Sequence, residues 1–89
     1  MILTDLPRAL EKETRALIID EASELKVILR NGFAATSANN NGVINIWKDH
    51  DNDTYSCERM DHFVVQDSFS SDDMEMVVKW TEKALKAIK

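Results

Sequence analysis

The chain has 89 residues, of which 44% are apolar and 30% charged, and its formal net charge is −5. This composition excludes a disordered chain, and the length suits a single domain over residues 1–89. No run approaches the roughly 20 apolar residues of a membrane span, and the N-terminal sequence lacks the basic-then-apolar pattern of a secretory signal. Cys57 is the only cysteine, so we expect a reduced, cytoplasmic protein without an internal disulfide.

The first predicted element is a long N-terminal helix over residues 4–32, TDLPRALEKETRALIIDEASELKVILRNG. Thr4 or Asp5 can cap its start, and Pro7 is tolerated in the first helical turn. Asn31 and Gly32 form a stop signal, because glycine readily adopts the left-handed conformation that closes a helix. A broad apolar stripe predicts the buried side of this helix: Leu6, Leu10, Leu17, Ile18, Leu25, Ile28 and Leu29.

A three-stranded antiparallel β-meander is predicted next, with strands near residues 33–38, 43–48 and 53–60. Asn41 and Gly42 are a strong signal for a two-residue hairpin turn, because both tolerate positive φ. A turn at these two residues places Ile44 opposite Asn39.

Alternation of side chains along the strands assigns them to two faces of the sheet. A four-residue loop at residues 49–52 closes the second hairpin and sets Ile46 opposite Tyr55. The inner face then contains Phe33, Ala35, Ile44, Ile46, Tyr55 and Cys57. The outer face contains Thr36, Val43, Asn45, Trp47, Thr54, Ser56 and Glu58. We expect both helices to cover the inner face.

The last third of the chain predicts a connection and a C-terminal helix. Residues 61–69 fit either a strand or a loop. Ser70 is a good N-cap with Asp73 at the third helical position, and Phe69 and Met74 can form a hydrophobic staple. The buried stripe of this helix contains Met74, Val77, Val78, Thr81, Leu85 and Ile88, widened by Trp80 and Ala84. The predicted fold class is therefore α+β, in the order α-β-β-β-α.

Three aspartates spaced two apart resemble the start of an EF-hand calcium loop: Asp49, Asp51 and Asp53. In that pattern the sixth position should be glycine and the twelfth a glutamate, but Thr54 and Met60 stand there. The flanking segments also read as strands rather than helices. We therefore interpret the aspartates as turn residues, whose side chains bond to nearby backbone groups.

No other pattern of catalytic or metal-binding residues is present. His50 and His62 flank Cys57, but their spacings of seven and five differ from the tight ligand pairs of zinc sites. Side-chain parity points Cys57 into the core, where a thiol is inert. Phosphate-binding, nucleophile-elbow and zinc-protease motifs do not occur. We expect no enzymatic activity, no cofactor and no metal.

Charge is distributed unevenly along the chain. Residues 49–75, here called the acidic segment, contain nine acidic residues and one basic residue, Arg59, which gives a charge of −8. The remaining residues carry a charge of +3. Concentrated negative charge steers basic partners and can imitate a nucleic-acid backbone, and it argues against direct nucleic-acid binding.

The element order is similar to that of the double-stranded-RNA-binding domain. That family has a basic start to its second helix, whereas SSDDMEM stands there, so we expect no RNA binding through this surface. In size, acidity and order the chain also resembles small phage proteins that block host nucleases by occupying nucleic-acid sites. It resembles, too, the acidic chaperones of bacterial secretion systems, which are usually longer and carry extra strands.

The sequence thus predicts a small non-enzymatic binding protein, an inhibitor or adaptor that docks on a basic surface of a protein partner. A phage-type inhibitor that mimics nucleic acid is one form of this hypothesis. The predicted partner-binding residues are Trp47, Asp49, Asp51, Asp53, Glu58 and Asp61. One alternative is a homodimeric accessory or chaperone-like protein that uses the outer sheet face. Another is a small metal-dependent enzyme.

Overall fold

The computed structural model describes residues 16–49 and 51–88. These residues form an α+β fold with a five-stranded mixed sheet and two α-helices. The elements in chain order are β1 (Ala16–Ile18), a short 3-10 helix (Ala22–Glu24), α1 (Leu25–Arg30), β2 (Ala34–Asn39), β3 (Gly42–Asp49), β4 (Thr54–Asp61), β5 (Val64–Ser71) and α2 (Met74–Ala87). The strands lie in sequence order across the sheet. β1 and β2 are parallel, and all other neighbours are antiparallel.

The predicted long N-terminal helix is wrong over residues 16–21, and its predicted part at residues 4–15 lies outside the described residues. Ala16–Ile18 pairs with β2 instead, and the Ile19 amide donates to the Thr36 carbonyl at 2.9 Å. A strand is favoured over a helix in this segment because strand pairing with β2 buries Ile19 in the core. Tertiary contacts therefore override the local helix propensity. Helical structure begins at Ala22, where the side chain of Glu24 accepts a hydrogen bond from the Glu21 amide at 3.3 Å.

The predicted end of this segment is confirmed. α1 stops at Arg30, and Gly32 has a φ of +85°. A left-handed glycine directly after the last helical residues is the arrangement that the Asn31-Gly32 pair predicts.

The three-stranded meander is wrong in extent, since β2, β3 and β4 are three strands of a five-stranded sheet. Residues 61–69, which fitted a strand or a loop, contain the end of β4, a two-residue turn and most of β5. The predicted pairings are each displaced by two residues: Ile44 pairs with Ser37, and Ile46 pairs with Cys57. The predicted assignment of side chains to the two faces is still correct, because a displacement of two residues leaves each side chain on the same face.

In the first hairpin, Gly42 has a different position from the predicted one. The turn lies at Asn40 and Asn41, and Gly42 is already in β3. A β-carbon at Gly42 would lie 2.8 Å from the Met60 carbonyl oxygen and 3.1 Å from Cγ2 of Ile88. Glycine is required here by close packing in the sheet rather than by a turn.

Both described helices pack on the inner face of the sheet. They enclose one hydrophobic cluster with the strand residues Ala35, Ile44, Ile46 and Cys57. The helices and the segment before them contribute Ile19, Ala22, Leu25, Ile28, Leu29, Val77, Ala84, Leu85 and Ile88. Neither helix in the described part of the chain is long and apolar enough to cross a membrane.

α2 begins three residues later than predicted. Asp73 is its N-cap, and Oδ1 of Asp73 accepts from the Glu75 amide at 3.0 Å. Ser70 was the expected cap, but it pairs with Ser56 in the sheet and is therefore unable to start a helix. At the other end, the Ile88 carbonyl accepts hydrogen bonds from the side chains of Asn39 and Asn41. These bonds satisfy a terminal carbonyl and attach the end of the helix to the first hairpin.

Candidate interaction surface

The loop between β3 and β4 is held together by its own aspartates. Asp49 accepts from the Asp51 amide at 3.0 Å and from Nδ2 of Asn52 at 3.1 Å. Nζ of Lys48 lies 3.2 Å from Oδ1 of Asp53, which has a φ of +53°. Of the three predicted partner-binding aspartates in this loop, the side chains of Asp49 and Asp53 therefore have contacts within the hairpin, as turn residues commonly do. Asp51 is exposed.

A polar ladder crosses the outer face of the sheet. The Thr36 hydroxyl donates to Oδ1 of Asn45 at 3.0 Å, and Nδ2 of Asn45 donates to Oε1 of Glu58 at 3.3 Å. The three residues are register partners on β2, β3 and β4, and Thr36 and Asn45 are fully buried. The carboxylate of Glu58 is thus directed along the sheet to Asn45, which reduces its freedom to meet a partner.

Trp47 is half-buried on the same outer face. Its side chain packs against Ala16 of β1 and Ala34 of β2, both of which are buried. The expected role of Trp47 is an exposed apolar anchor. The structure instead places part of the indole over two small side chains of the sheet.

Asp61 lies far from the aspartates of the β3–β4 loop. It ends β4, whereas Asp49 pairs with Thr54 at the start of that strand. The eight residues of β4 are separated by seven steps of roughly 3.3 Å, so the strand spans about 23 Å. The structure therefore brings Asp49, Asp51 and Asp53 together, places Trp47 and Glu58 on the outer face, and separates Asp61 from the rest.

The hairpin between β4 and β5 presents large apolar side chains to solvent. Phe63 is 90% exposed, Val64 59% and Val65 49%. Asp61 pairs with Val64, so His62 and Phe63 alone form the turn, and their φ values are +50° and +66°. A two-residue turn with positive φ at both positions normally uses Asn-Gly, so the sequence carries no conventional signal for it. The available signal is the apolar run Phe-Val-Val itself.

A groove of about 400 Å³ lies beside this hairpin, at the end of the sheet where the β2–β3 and β4–β5 turns meet. Ala38, Val43, Met60 and Phe63 give it an apolar lining, and Asp61 lies at its side. The groove can accept an apolar side chain next to a basic group.

β5 forms one edge of the sheet. In the part of the chain that the structure describes, its only strand neighbour is β4. Val64 through Ser68 are five consecutive exposed residues, and Asp67 is the only charged residue of the strand. A register shift between Arg59 and Met60 places a bulge near the middle of this edge.

Cys57 has the chemistry of a core residue. Burial raises the pKa of its thiol from 9.0 to about 12. The thiol is therefore protonated at neutral pH, and the thiolate is the form that acts as a nucleophile. Over residues 16–49 and 51–88, no group of three or more His, Cys, Asp and Glu side chains is arranged to hold a metal ion.

Comparison of the chain with protein-family models, curated proteins and solved structures gives no match.

Proposed function

We propose that this chain is a non-enzymatic binding protein that acts as an inhibitor or adaptor by docking on a basic surface of a protein partner. One observation carries the proposal: the exposed apolar tip formed by Phe63, Val64 and Val65, which lies within the acidic segment. A contiguous group of large exposed apolar side chains is uncommon on a small monomeric protein and marks contact surfaces.

Phe63 supplies the strongest argument within this tip. Bulky residues rarely adopt positive φ, and such strain persists where function requires it. The same turn could be made by small residues without strain. An aromatic ring that is 90% exposed at φ +66° is well placed to be an anchor in a partner's pocket.

The charges around the tip supply the second argument. Asp61 precedes the turn and Asp67 follows it, within a segment whose charge is −8. Apolar anchors surrounded by acids favour a partner whose pocket is rimmed by Lys and Arg, and they steer its approach. A protein whose basic site normally binds nucleic acid has this chemistry.

The outer-face homodimer is less well supported. Trp47 covers Ala16 and Ala34, and the neighbouring Thr36 and Asn45 are buried and hydrogen-bonded to each other. Three consecutive exposed apolar side chains, Phe63, Val64 and Val65, lie at the β4–β5 hairpin. The alternative of a small metal-dependent enzyme finds no support in residues 16–49 and 51–88, where no group of three or more His, Cys, Asp and Glu side chains is arranged to hold a metal ion.

The test is capture from a cell lysate on the immobilised chain, at low and high salt, with the retained proteins identified by mass spectrometry. Phe63→Ala removes the anchor. Val27→Ala is the matched control, because Val27 is 64% exposed but lies on α1. We expect the wild type and the control to retain the same basic protein, salt to release it, and Phe63→Ala to lose it.

Two results would contradict the proposal. One is that no basic protein is retained by any form of the chain. The other is that Phe63→Ala retains the partner as well as the wild type does, which would remove the tip from the contact.

A further inference from the structure

We propose that the partner is bound by strand addition: an extended basic segment pairs with the edge of β5 that no described strand covers, and continues the sheet. This inference rests on the proposed function and specifies how the partner is held. Main-chain hydrogen bonds would provide affinity, and side chains at alternate positions would provide specificity.

The first support is the state of the edge. Natural proteins protect sheet edges with prolines, lysines, short strands or covering elements. β5 is eight residues long, has no proline or lysine, and exposes five consecutive residues from Val64 to Ser68. Its sequence, VVQDSFSS, carries a single charge. The bulge bends the edge, but the strand continues on both sides of it.

Charge decides between a basic segment and a second copy of this chain. Residues 61–75, which are β5 with its flanks, contain five acidic residues and no Lys or Arg. A second copy paired along β5 would place a second Asp67 in the same seam, with the acids of its flanks close by. Like charges facing each other across a strand pair are destabilising, whereas opposite charges stabilise it. The occupant that fits is therefore a basic strand.

Side-chain parity on β5 refines the expected sequence of that strand. Val65 pairs with Met60 on the outer face, and Asp67 pairs with Arg59 on the other face. The register shift places these two side chains on opposite faces although they are two residues apart, so a segment that alternates apolar and basic residues can meet each of them on its own side.

The test uses a capped ten-residue peptide of alternating lysine and valine as the probe, with binding measured by fluorescence anisotropy. In one control peptide every lysine amide is N-methylated, and in a second every valine amide is. Alternate amides of an extended strand point to the same edge, so each control keeps its charge but has one hydrogen-bonding edge of the peptide blocked. A third control replaces lysine by glutamate. Hydrogen exchange of the β5 amides reports where the probe binds.

Two variants locate the contact on the protein. Val65→Lys adds a positive charge to the edge, and Val27→Lys adds the same charge on α1, at a valine that is 64% exposed against 49% for Val65. We expect Val65→Lys to weaken binding of the lysine–valine peptide about tenfold or more, the equivalent of roughly 1.4 kcal/mol. We expect Val27→Lys to leave it near the wild-type value.

The results separate this inference from the proposed function. Three results together would support strand addition. The lysine–valine peptide binds, its affinity falls about tenfold or more in one of the two methylated forms, and hydrogen exchange of the β5 amides slows when the peptide is bound. Equal binding by both methylated peptides would overturn strand addition and leave docking on a basic surface intact. No binding of the lysine–valine peptide, equal binding of the glutamate peptide, or a wild-type dimer abolished by Val65→Lys would each overturn the proposed basic strand.

Discussion

Phe63 combines two features that seldom occur together in one residue. Its φ of +66° is in the left-handed region, and its side chain is almost fully exposed. A left-handed conformation costs an L-residue other than glycine roughly 1–2 kcal/mol. The exposed ring makes little packing contact with its own chain that could offset this conformational cost. Phe63 therefore contributes less to the stability of the fold than a glycine would at the same position.

Replacing Phe63 by glycine tests this view at the residue concerned. We expect Phe63→Gly to raise the free energy of unfolding by up to about 1 kcal/mol, because glycine adopts positive φ without strain. Phe63→Ala is the control, since it removes the ring but keeps the β-carbon. Urea unfolding measures both. A glycine variant less stable than the alanine variant would contradict the strain argument.

At the scale of elements, side-chain parity was predictable and register was not. The alternation of Ile44, Ile46 and Cys57 identified the buried face correctly, because only one parity places apolar groups together. The Asn-Gly pair did not predict the register, because the turn lies at Asn40 and Asn41 while Gly42 is in β3 beside Met60. β1 was missed for a related reason: its partner is a parallel strand that follows α1, and the three residues of β1 also fit a helical stripe.

The candidate site was predictable only in part, and again for reasons of element placement. The acidity of the segment was evident from the sequence, and so were the turn-forming aspartates. The β4–β5 hairpin was not, because His62 and Phe63 occupy positions that usually require Asn and Gly. Without that turn, the exposure of Val64 and Val65 could not be inferred.

The ladder of Thr36, Asn45 and Glu58 connects three strands and gives an element-level prediction. Asn45→Ala leaves the buried Thr36 hydroxyl without its acceptor, so we expect a loss of about 1–3 kcal/mol in the free energy of unfolding. Asn40→Ala, in the exposed turn between β2 and β3, should change stability by less than about 0.5 kcal/mol. Equal effects of the two substitutions in denaturant unfolding would show that the ladder is not a stabilising feature.

Cys57 lies in the large inner cluster of the described residues and makes the stability of the protein depend on pH. Folding raises the pKa of the thiol from 9.0 to about 12. Between these values the unfolded chain loses the thiol proton while the folded chain keeps it. The contribution is therefore complete at neutral pH and decreases as pH rises above 9, by up to about 1.4 kcal/mol per pH unit.

Unfolding in urea at a series of pH values from neutral to strongly alkaline measures this effect. Cys57→Ala is the reference, because the two proteins share every other titratable group. We expect the wild type to lose stability more steeply than Cys57→Ala above pH 9. Parallel curves would mean that the thiol ionises equally easily in the folded and unfolded chains.

The connection of the strands also has a consequence for the order in which the chain folds. β2 to β5 are joined in sequence by short turns, so each pairing closes only a small loop and can form rapidly. The bonds from Asn39 and Asn41 to the Ile88 carbonyl instead join residues 49 and 47 positions apart. We therefore expect the hairpins to form early on the folding pathway, and the docking of α2 onto the first turn to be a late step.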